Sequence, residues 1–135
     1  MLKNNWTTDD LFLDHVHTIV THTKSLNVQP IMWDDMFRKI DSDVLKAQNF
    51  TNLVEIMVWG YGGVDQSLVD AMTKYSQVNF PGVWVASAFK GGAGPTIQMP
   101  QYKMHLDNNI DWVRVSSEFK DKLNLKGIAI TGWQR

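Results

Sequence analysis

Cysteine is absent from this chain of 135 residues, and its basic side chains are not clustered. Without thiols, the chain can form neither a disulfide framework nor a thiolate metal centre. The 13 lysine and arginine residues are scattered and the formal net charge is -1, so no polyanionic partner is indicated. A nucleic-acid-binding protein would concentrate such charges on one face. We therefore expect no nucleic-acid partner.

Long apolar runs are also absent. No segment approaches the roughly 18 apolar residues of a membrane span, and residues 1–10 lack the apolar core of a signal peptide. We therefore expect no membrane association and a cytoplasmic or nuclear location. His15 and His17 stand two apart on a predicted helix and point to different sides, so we predict no metal site. No cofactor is indicated either.

Helical and strand-like patterns alternate along the chain. The first helix should begin near Thr7 or Thr8, with an apolar stripe of Phe12, Leu13, Val16, Ile19 and Val20. Two further stripes predict helices: Val64, Leu68, Met72 and Tyr75, then Tyr102, Leu106, Ile110 and Val113. The predicted strands are Pro30–Trp33, Leu53–Trp59, Val83–Ala88 and Gly127–Trp133, with a short helical turn near Val44 and Leu45. This alternation predicts an α/β fold with parallel strands.

A tryptophan stands at or near the carboxyl end of each predicted strand. These residues are Trp33, Trp59, Trp84 and Trp133. Because the carboxyl ends of parallel strands meet at one face, where such folds bind ligands, we expect the indole rings to surround one pocket. Flat aromatic rings suit the apolar face of a sugar. The alternative is that each ring simply packs in the interior.

The chain begins with a helix that has no strand before it and stops just after a strand that has no helix to cover it. Four parallel strands on their own would leave open sheet edges and an incompletely covered face. We therefore expect this chain to be part of a larger domain.

Four segments resemble the β-N-acetylhexosaminidases of glycoside hydrolase family 20. They are Pro30–Met36, Val58–Tyr61, Phe80–Gly91 and Gly127–Arg135, and the resemblance extends from about Leu11 to Arg135. The sequences Ala-Ser-Ala-Phe-Lys-Gly and Thr-Gly-Trp-Gln-Arg within them are the most specific. The resemblance implies that residues 1–135 form a partial TIM-type (β/α)8 barrel domain, truncated at both ends. Its strands would be the fifth to eighth, and it would need the amino-terminal half of the barrel.

The resemblance also implies a reaction, the hydrolysis of a terminal N-acetylglucosamine or N-acetylgalactosamine by substrate assistance. The substrate's own acetamido oxygen attacks the anomeric carbon in this mechanism, which is an exception to the scheme with two carboxylates. In the family, an adjacent Asp-Glu pair after the fourth strand supplies the general acid and the carboxylate that orients the acetamido group. No Asp-Glu dipeptide occurs in this chain, so we expect it to be inactive alone.

The same resemblance suggests roles for several residues. Tyr61, on a glycine loop, would donate a hydrogen bond to the acetamido oxygen. The sugar would be held by Trp33, Trp59, Trp84 and Trp133, with Gln134 or Arg135 reaching its hydroxyls. Adjacent strand residues point to opposite faces, so only one of Asp34 and Asp35 should reach the pocket. We assign Asp34 to a sugar hydroxyl or a neighbouring backbone group, and Asp35 to a cap on the following turn. The alternative is that the two adjacent carboxylates serve as a catalytic acid and a stabiliser.

Two other functions fit the sequence. The loop Gly91–Gly94 follows a strand and could cradle a phosphate, as in a phosphate-binding barrel enzyme. A carbohydrate-binding fragment without catalytic activity would keep the tryptophans and lack the acid.

Overall fold

A computed structural model describes residues 6–50, 52–94 and 96–133. Gln134 and Arg135, which were assigned to sugar hydroxyls, lie outside the described residues. The elements are α1 (Thr8–Ser25), β1 (Ile31–Trp33), α2 (Ser42–Ala47), β2 (Glu55–Trp59), α3 (Gln66–Val78), β3 (Val83–Lys90), α4 (Tyr102–Phe119) and β4 (Leu125–Gly132). The alternation of strands and helices predicted from the sequence is confirmed.

Helix α1 begins where its capping residues predict. The backbone N–H of Asp10 donates to Thr7 Oγ1 at 3.1 Å, and the Asp10 carboxylate accepts from the Thr7 backbone N–H at 2.9 Å. This reciprocal pair satisfies amides that have no partner within the helix. The buried residues of the helix are Leu13, Val16 and Val20. Ile19, which the predicted stripe included, is 49% exposed.

The predicted stripe of α3 is buried, whereas that of α4 is not. Leu68, Met72 and Tyr75 of α3 lie in the core. The helix predicted from the stripe of Tyr102, Leu106, Ile110 and Val113 is confirmed as α4, although these four residues are all exposed. The side of α4 that packs inward carries His105, Asn108, Trp112, Val115 and Phe119. This inward side includes polar groups that bond to a neighbouring loop.

The strands form one parallel sheet of four strands in the order β1-β2-β3-β4. Trp33 pairs with Met57, which in turn pairs with Trp84. Farther along, Trp59 pairs with Ala86, which pairs with Ala129. Paired residues point to the same side of a sheet, so these form successive rows on one face.

The hydrophobic core lies on the other face of the sheet. The strand residues in its main cluster include Ile56, Val58, Val83 and Val85, which alternate with the rows just described. Residues of α1, α3 and α4 belong to the same cluster. Right-handed crossovers between strands that follow one another in space place every helix on the same side, as in a barrel. The fold is therefore an α/β arrangement consistent with part of a barrel.

None of the helices within the described residues is both long enough and apolar enough to cross a membrane.

Candidate functional site

Four aromatic rings converge where the strands end. The ring centroids of Trp33 and Trp133 are 6.2 Å apart, and those of Trp59 and Tyr61 are 5.1 Å apart. Tyr61 joins the two pairs, because its ring lies edge-on to that of Trp133 with 6.0 Å between centroids. Trp33 ends β1, Trp59 ends β2 and Trp133 directly follows β4. We call these four residues the aromatic cluster.

The aromatic cluster lines a pocket of about 230 Å³ together with Asp35. Trp33 and Trp133 are each 41% exposed, so their rings are open on one side. The sequence predicted that the strand-end tryptophans would meet, and the structure brings three of them together with Tyr61. That these residues bind a sugar stays a prediction.

Trp84 lies outside this pocket. The sequence placed it near the carboxyl end of a strand, but it is the second residue of β3, which extends to Lys90. Its indole N–H donates to the carboxylate of Glu55, the first residue of β2, at 2.6 Å. Lys126 lies 3.9 Å from the other carboxylate oxygen of Glu55. Trp84 is therefore directed toward the amino end of the sheet, and the assignment to the strand-end pocket is corrected.

The structure places Asp35, and not Asp34, at the pocket. One carboxylate does reach the pocket, as the alternation of strand side chains requires, but it is Asp35. Asp34 is fully buried, and its carboxylate accepts two hydrogen bonds from the Arg38 guanidinium, at 2.5 and 2.7 Å. The Tyr75 hydroxyl donates to the same carboxylate at 3.2 Å. Asp34 is therefore occupied by protein partners beneath the pocket.

Burial affects the ionisable groups of this network. It raises the pKa of the Asp34 carboxyl, while the hydrogen bonds and positive charge of Arg38 act in the opposite direction. Burial also raises the pKa of the Tyr75 phenol well above its ordinary value, so Tyr75 remains a hydrogen-bond donor. Nearby, the Lys74 ammonium donates to the carbonyl oxygens of Phe37, Arg38 and Ile40. Helix α3 thus fixes the segment that follows β1.

Arg38 connects this network to the pocket. Besides Asp34, its guanidinium donates to the backbone carbonyl oxygen of Trp59 at 2.5 Å. Its Cζ also lies 5.3 Å from the centroid of the Trp59 ring, within the range of a cation–π contact. Arg38 was not among the residues predicted for the site. A basic residue four positions after a strand-end aspartate is the signal that could have indicated this pair.

Helix α4 holds the loop that carries Tyr61. The Asn108 amide donates to the carbonyl oxygens of Gly60, at 2.9 Å, and of Gly62. The Trp112 indole N–H also donates to the Gly60 carbonyl oxygen at 2.9 Å. Both carbonyl groups flanking Tyr61 are therefore bound by one helix. Since Asn108 and Trp112 stand one helical turn apart, their spacing is the sequence signal for this arrangement.

The glycine loop after β3 supports the aromatic cluster from the other side. Gly91 and Gly92 have positive φ angles of 76° and 74°, which glycine adopts without strain. A Cβ atom on Gly91 would lie 2.7 Å from the Trp133 Cβ, and one on Gly92 would lie 3.1 Å from the Tyr61 ring. These contacts give the two glycines a packing role. The glycines at positions 91 and 92 are therefore explained by packing, without a bound phosphate.

Metal ligands do not cluster in the part of the chain that the structure describes, where no group of three or more His, Asp or Glu side chains could hold an ion. The pocket instead offers aromatic faces, one phenolic hydroxyl and one carboxylate. These groups can stack on an apolar ring face and hydrogen-bond to its polar substituents. The fold and this pocket define a parallel β/α protein with an aromatic pocket at the carboxyl ends of its strands.

Comparison with known proteins identifies one relationship. The chain is 38% identical to hexosaminidase D from Homo sapiens over 132 residues and 35% identical to hexosaminidase D from Bos taurus over 130 residues. These matches cover 95% and 93% of the chain but only 27% and 37% of the two relatives. The chain is therefore homologous to part of hexosaminidase D, a glycoside hydrolase. No protein-family model matches it.

Proposed function

We propose that this chain forms the fifth to eighth strands of a β-N-acetylhexosaminidase barrel and that the aromatic cluster binds the 2-acetamido sugar of a glycan. The observation that carries the proposal is the convergence of Trp33, Trp59, Tyr61 and Trp133 around one small pocket. The homology to hexosaminidase D over nearly the whole chain supports it.

The pocket suits one acetamido sugar unit. Its volume of about 230 Å³ is smaller than the several hundred Å³ of a typical drug-sized site. The open indole faces of Trp33 and Trp133 can cover the apolar face of the sugar and the acetamido methyl group. Asp35 can accept a hydrogen bond from a hydroxyl or from the acetamido N–H. An unsubstituted sugar would leave the methyl position unfilled.

The reaction we propose begins when the acetamido oxygen attacks the anomeric carbon and the glycosidic C–O bond breaks. A general acid gives its proton to the departing oxygen, leaving an oxazolinium ion. Water then opens this ion and restores the acetamido group, and the deprotonated acid takes up the proton that the water loses. The Tyr61 hydroxyl donates a hydrogen bond to the acetamido oxygen and holds it in position. The Asn108 and Trp112 bonds to the Tyr61 loop fix that hydroxyl before the substrate arrives.

Turnover needs groups beyond those of this pocket. Asp35 is the carboxylate among the described residues that line it, and one carboxylate cannot both protonate the leaving group and orient the acetamido group. The chain also contains no Asp-Glu dipeptide. We therefore propose that the chain alone binds the sugar without hydrolysing it, and that the other half of the barrel supplies the acid and its neighbouring carboxylate.

Two measurements on the purified chain test the proposal. Tryptophan fluorescence titrations should show binding of N-acetylglucosamine and not of glucose, and Trp33→Ala should abolish that binding. A chromogenic N-acetyl-β-glucosaminide should release no aglycone above background. Equal affinity for glucose, or no sugar binding, would contradict the binding site. Turnover that is lost in Asp35→Asn would show that the local carboxylate suffices for catalysis.

A further inference from the structure

Arg38 contacts the pocket of the aromatic cluster from outside. It does not belong to the described lining, which consists of Trp33, Asp35, Trp59, Tyr61 and Trp133. It touches one of these residues, Trp59, through two different groups, because its guanidinium donates to the carbonyl oxygen and also lies against the ring. Arg38 therefore acts on both the backbone and the side chain of a pocket residue.

The carbonyl group that Arg38 binds lies where β1 no longer pairs with β2. Within the sheet, the Met57 carbonyl oxygen accepts from the Asp34 backbone N–H at 3.1 Å. Carbonyl groups two residues apart in a strand point to the same side, so the Trp59 carbonyl also points toward β1. However, β1 ends at Trp33, and the chain then turns, with the Arg38 backbone N–H donating to the Asp34 carbonyl oxygen at 2.9 Å. The guanidinium thus supplies the donor that the strand no longer provides.

The guanidinium is itself held in one orientation. Its Nε and Nη2 atoms bind the two oxygens of the buried Asp34 carboxylate, and Nη2 also binds the Trp59 carbonyl oxygen. A bidentate pair of this kind fixes the plane of the guanidinium as well as its position. A lysine ammonium would carry the same charge without a planar face or a fork of donors. The arrangement therefore uses the shape of arginine and not only its charge.

The Trp59 ring connects Arg38 to the hydroxyl group of Tyr61. Helix α4 binds the carbonyl groups on both sides of Tyr61 and so holds its backbone. The direction of the phenol is set by its ring neighbours, Trp59 at 5.1 Å and Trp133 at 6.0 Å between centroids. A shift of the Trp59 ring would therefore move the Tyr61 hydroxyl even if the loop stayed in place.

We propose that Arg38 is a positioning residue for the sugar pocket, which fixes the Trp59 ring and through it holds the Tyr61 hydroxyl at the acetamido oxygen. The inference rests on the proposed function of the aromatic cluster and adds a residue that touches no substrate. Because the planar fork is required, a lysine at position 38 should maintain the fold but not the position of the ring.

The first test measures sugar affinity and melting temperature on the same variants of the full chain. Arg38→Lys keeps a cation beside Asp34 and loses the fork. We expect its affinity for N-acetylglucosamine, measured by fluorescence titration, to fall about fivefold, the factor that one net hydrogen bond supplies. The matched control is Tyr75→Phe, which removes the other side-chain donor to Asp34 and keeps both contacts between Arg38 and Trp59. It should lower the melting temperature and leave the sugar affinity unchanged.

The indole of Trp59 gives a direct readout of its position. Its N–H resonance in proton–nitrogen NMR spectra is assigned by its loss in Trp59→Phe. In Arg38→Lys this resonance should shift, because the guanidinium no longer lies against the ring. The indole of Trp112, which is bound to the Gly60 carbonyl oxygen, should keep its resonance. Tyr75→Phe should leave the Trp59 resonance in place.

Chemical rescue distinguishes the shape of the group from its charge. Arg38→Ala removes the guanidinium, and because the Arg38 side chain is 27% exposed, a small cation from solution can reach its place. Methylguanidinium should restore the affinity for N-acetylglucosamine. Methylammonium, which has the same charge without the fork, should not.

The possible failures are distinguishable. If Arg38→Lys binds N-acetylglucosamine as tightly as the unsubstituted chain, the positioning role is refuted while the sugar site stands. Equal rescue by methylammonium would overturn the role of the fork and assign the effect to charge. If Arg38→Ala does not fold, the comparison of Arg38→Lys with Tyr75→Phe decides the question. If the unsubstituted chain binds no sugar, both proposals fail.

Discussion

The Arg38 guanidinium binds the carbonyl oxygen of Trp59 at 2.5 Å and lies 5.3 Å from the centroid of the same residue's ring. The buried Asp34 carboxylate holds the guanidinium in this position. Trp59 is thus fixed through both its backbone and its side chain by an ion pair whose carboxylate is fully buried and whose guanidinium is partly exposed. The aromatic cluster consequently depends on a network outside the pocket.

Removing the charge of Asp34 should destabilise the fold strongly. Asp34→Asn leaves the partly buried Arg38 without its counter-charge, and breaking a buried ion pair costs about 3 kcal/mol or more. The matched control is Asp43→Asn, which breaks the exposed pair with Lys46 and should cost less than about 1 kcal/mol. Urea unfolding at neutral pH measures the free energy of unfolding of both variants. Equal midpoints for the two variants would show that the Asp34 pair contributes no more than a surface contact.

Asn108→Asp should loosen the loop that carries Tyr61. The substitution replaces an amide that donates to two carbonyl oxygens by a carboxylate that cannot donate, and leaving buried groups unpaired costs about 1–3 kcal/mol. Asn124→Asp is the control, because it removes an exposed bond to the Pro81 carbonyl. We expect Asn108→Asp to be the less stable variant in thermal unfolding and to weaken N-acetylglucosamine binding. Unchanged sugar affinity in a folded Asn108→Asp protein would argue against this role.

Tyr61→Phe should separate function from packing. The variant keeps the ring contacts with Trp59 and Trp133 and loses only the hydroxyl. In a complete barrel enzyme that contains this segment, we expect kcat to fall by about 10²–10³-fold, with little change in melting temperature.

Tyr75→Phe is the matched control for that experiment. It removes the hydroxyl that donates to buried Asp34, so the melting temperature should fall while the folded enzyme keeps its kcat. Full activity of Tyr61→Phe would show that the Tyr61 hydroxyl takes no part in the reaction.

The N-cap of α3 should contribute stability that depends on pH. Hydrogen bonds from the Ser67 hydroxyl and the Leu68 backbone N–H lower the pKa of Asp65 below its ordinary value of 3.8. A lowered pKa in the folded state means that the contribution is fully present above about pH 4 and is lost as the pH falls through the lowered value. Asp65→Asn keeps a capping side chain without the charge. The difference in unfolding free energy between the two proteins, measured in urea from pH 6 to pH 2.5, should therefore shrink in acid; a constant difference would contradict the prediction.

Periodicity in the sequence predicted the strands and most helices because local patterns specify them. It predicted α4 as a helix but did not show which side packs inward, since Leu106 and Ile110 of the apolar stripe lie exposed. The inward side is set by Asn108 and Trp112, which bond to a loop far away in the sequence. Such long-range bonds leave no periodic signal. The buried side of α4 also has helical spacing, but its polar residues made it less conspicuous than the apolar stripe.

The pocket was only partly predictable for similar reasons. Alternation from Trp33 indicates that Asp35, two residues farther on, shares its side, but the prediction gave the pocket position to Asp34. Trp84 was misplaced because it was grouped with the strand-end tryptophans although it is the second residue of the predicted strand Val83–Ala88, as it is of β3. The convergence of Trp33, Trp59 and Trp133 followed from the general rule that the carboxyl ends of parallel strands meet.

Each strand in the described sheet pairs only with strands adjacent to it along the chain. Each strand therefore pairs with the strand that comes next along the chain. No strand pairing in the described sheet skips over an intervening strand of the sequence. Such a topology lowers the entropic barrier to each pairing, since the cost of closing a loop grows with its length. The sheet is built from consecutive β/α units, and the contact between Trp33 and Trp133 joins the first of these units to the last.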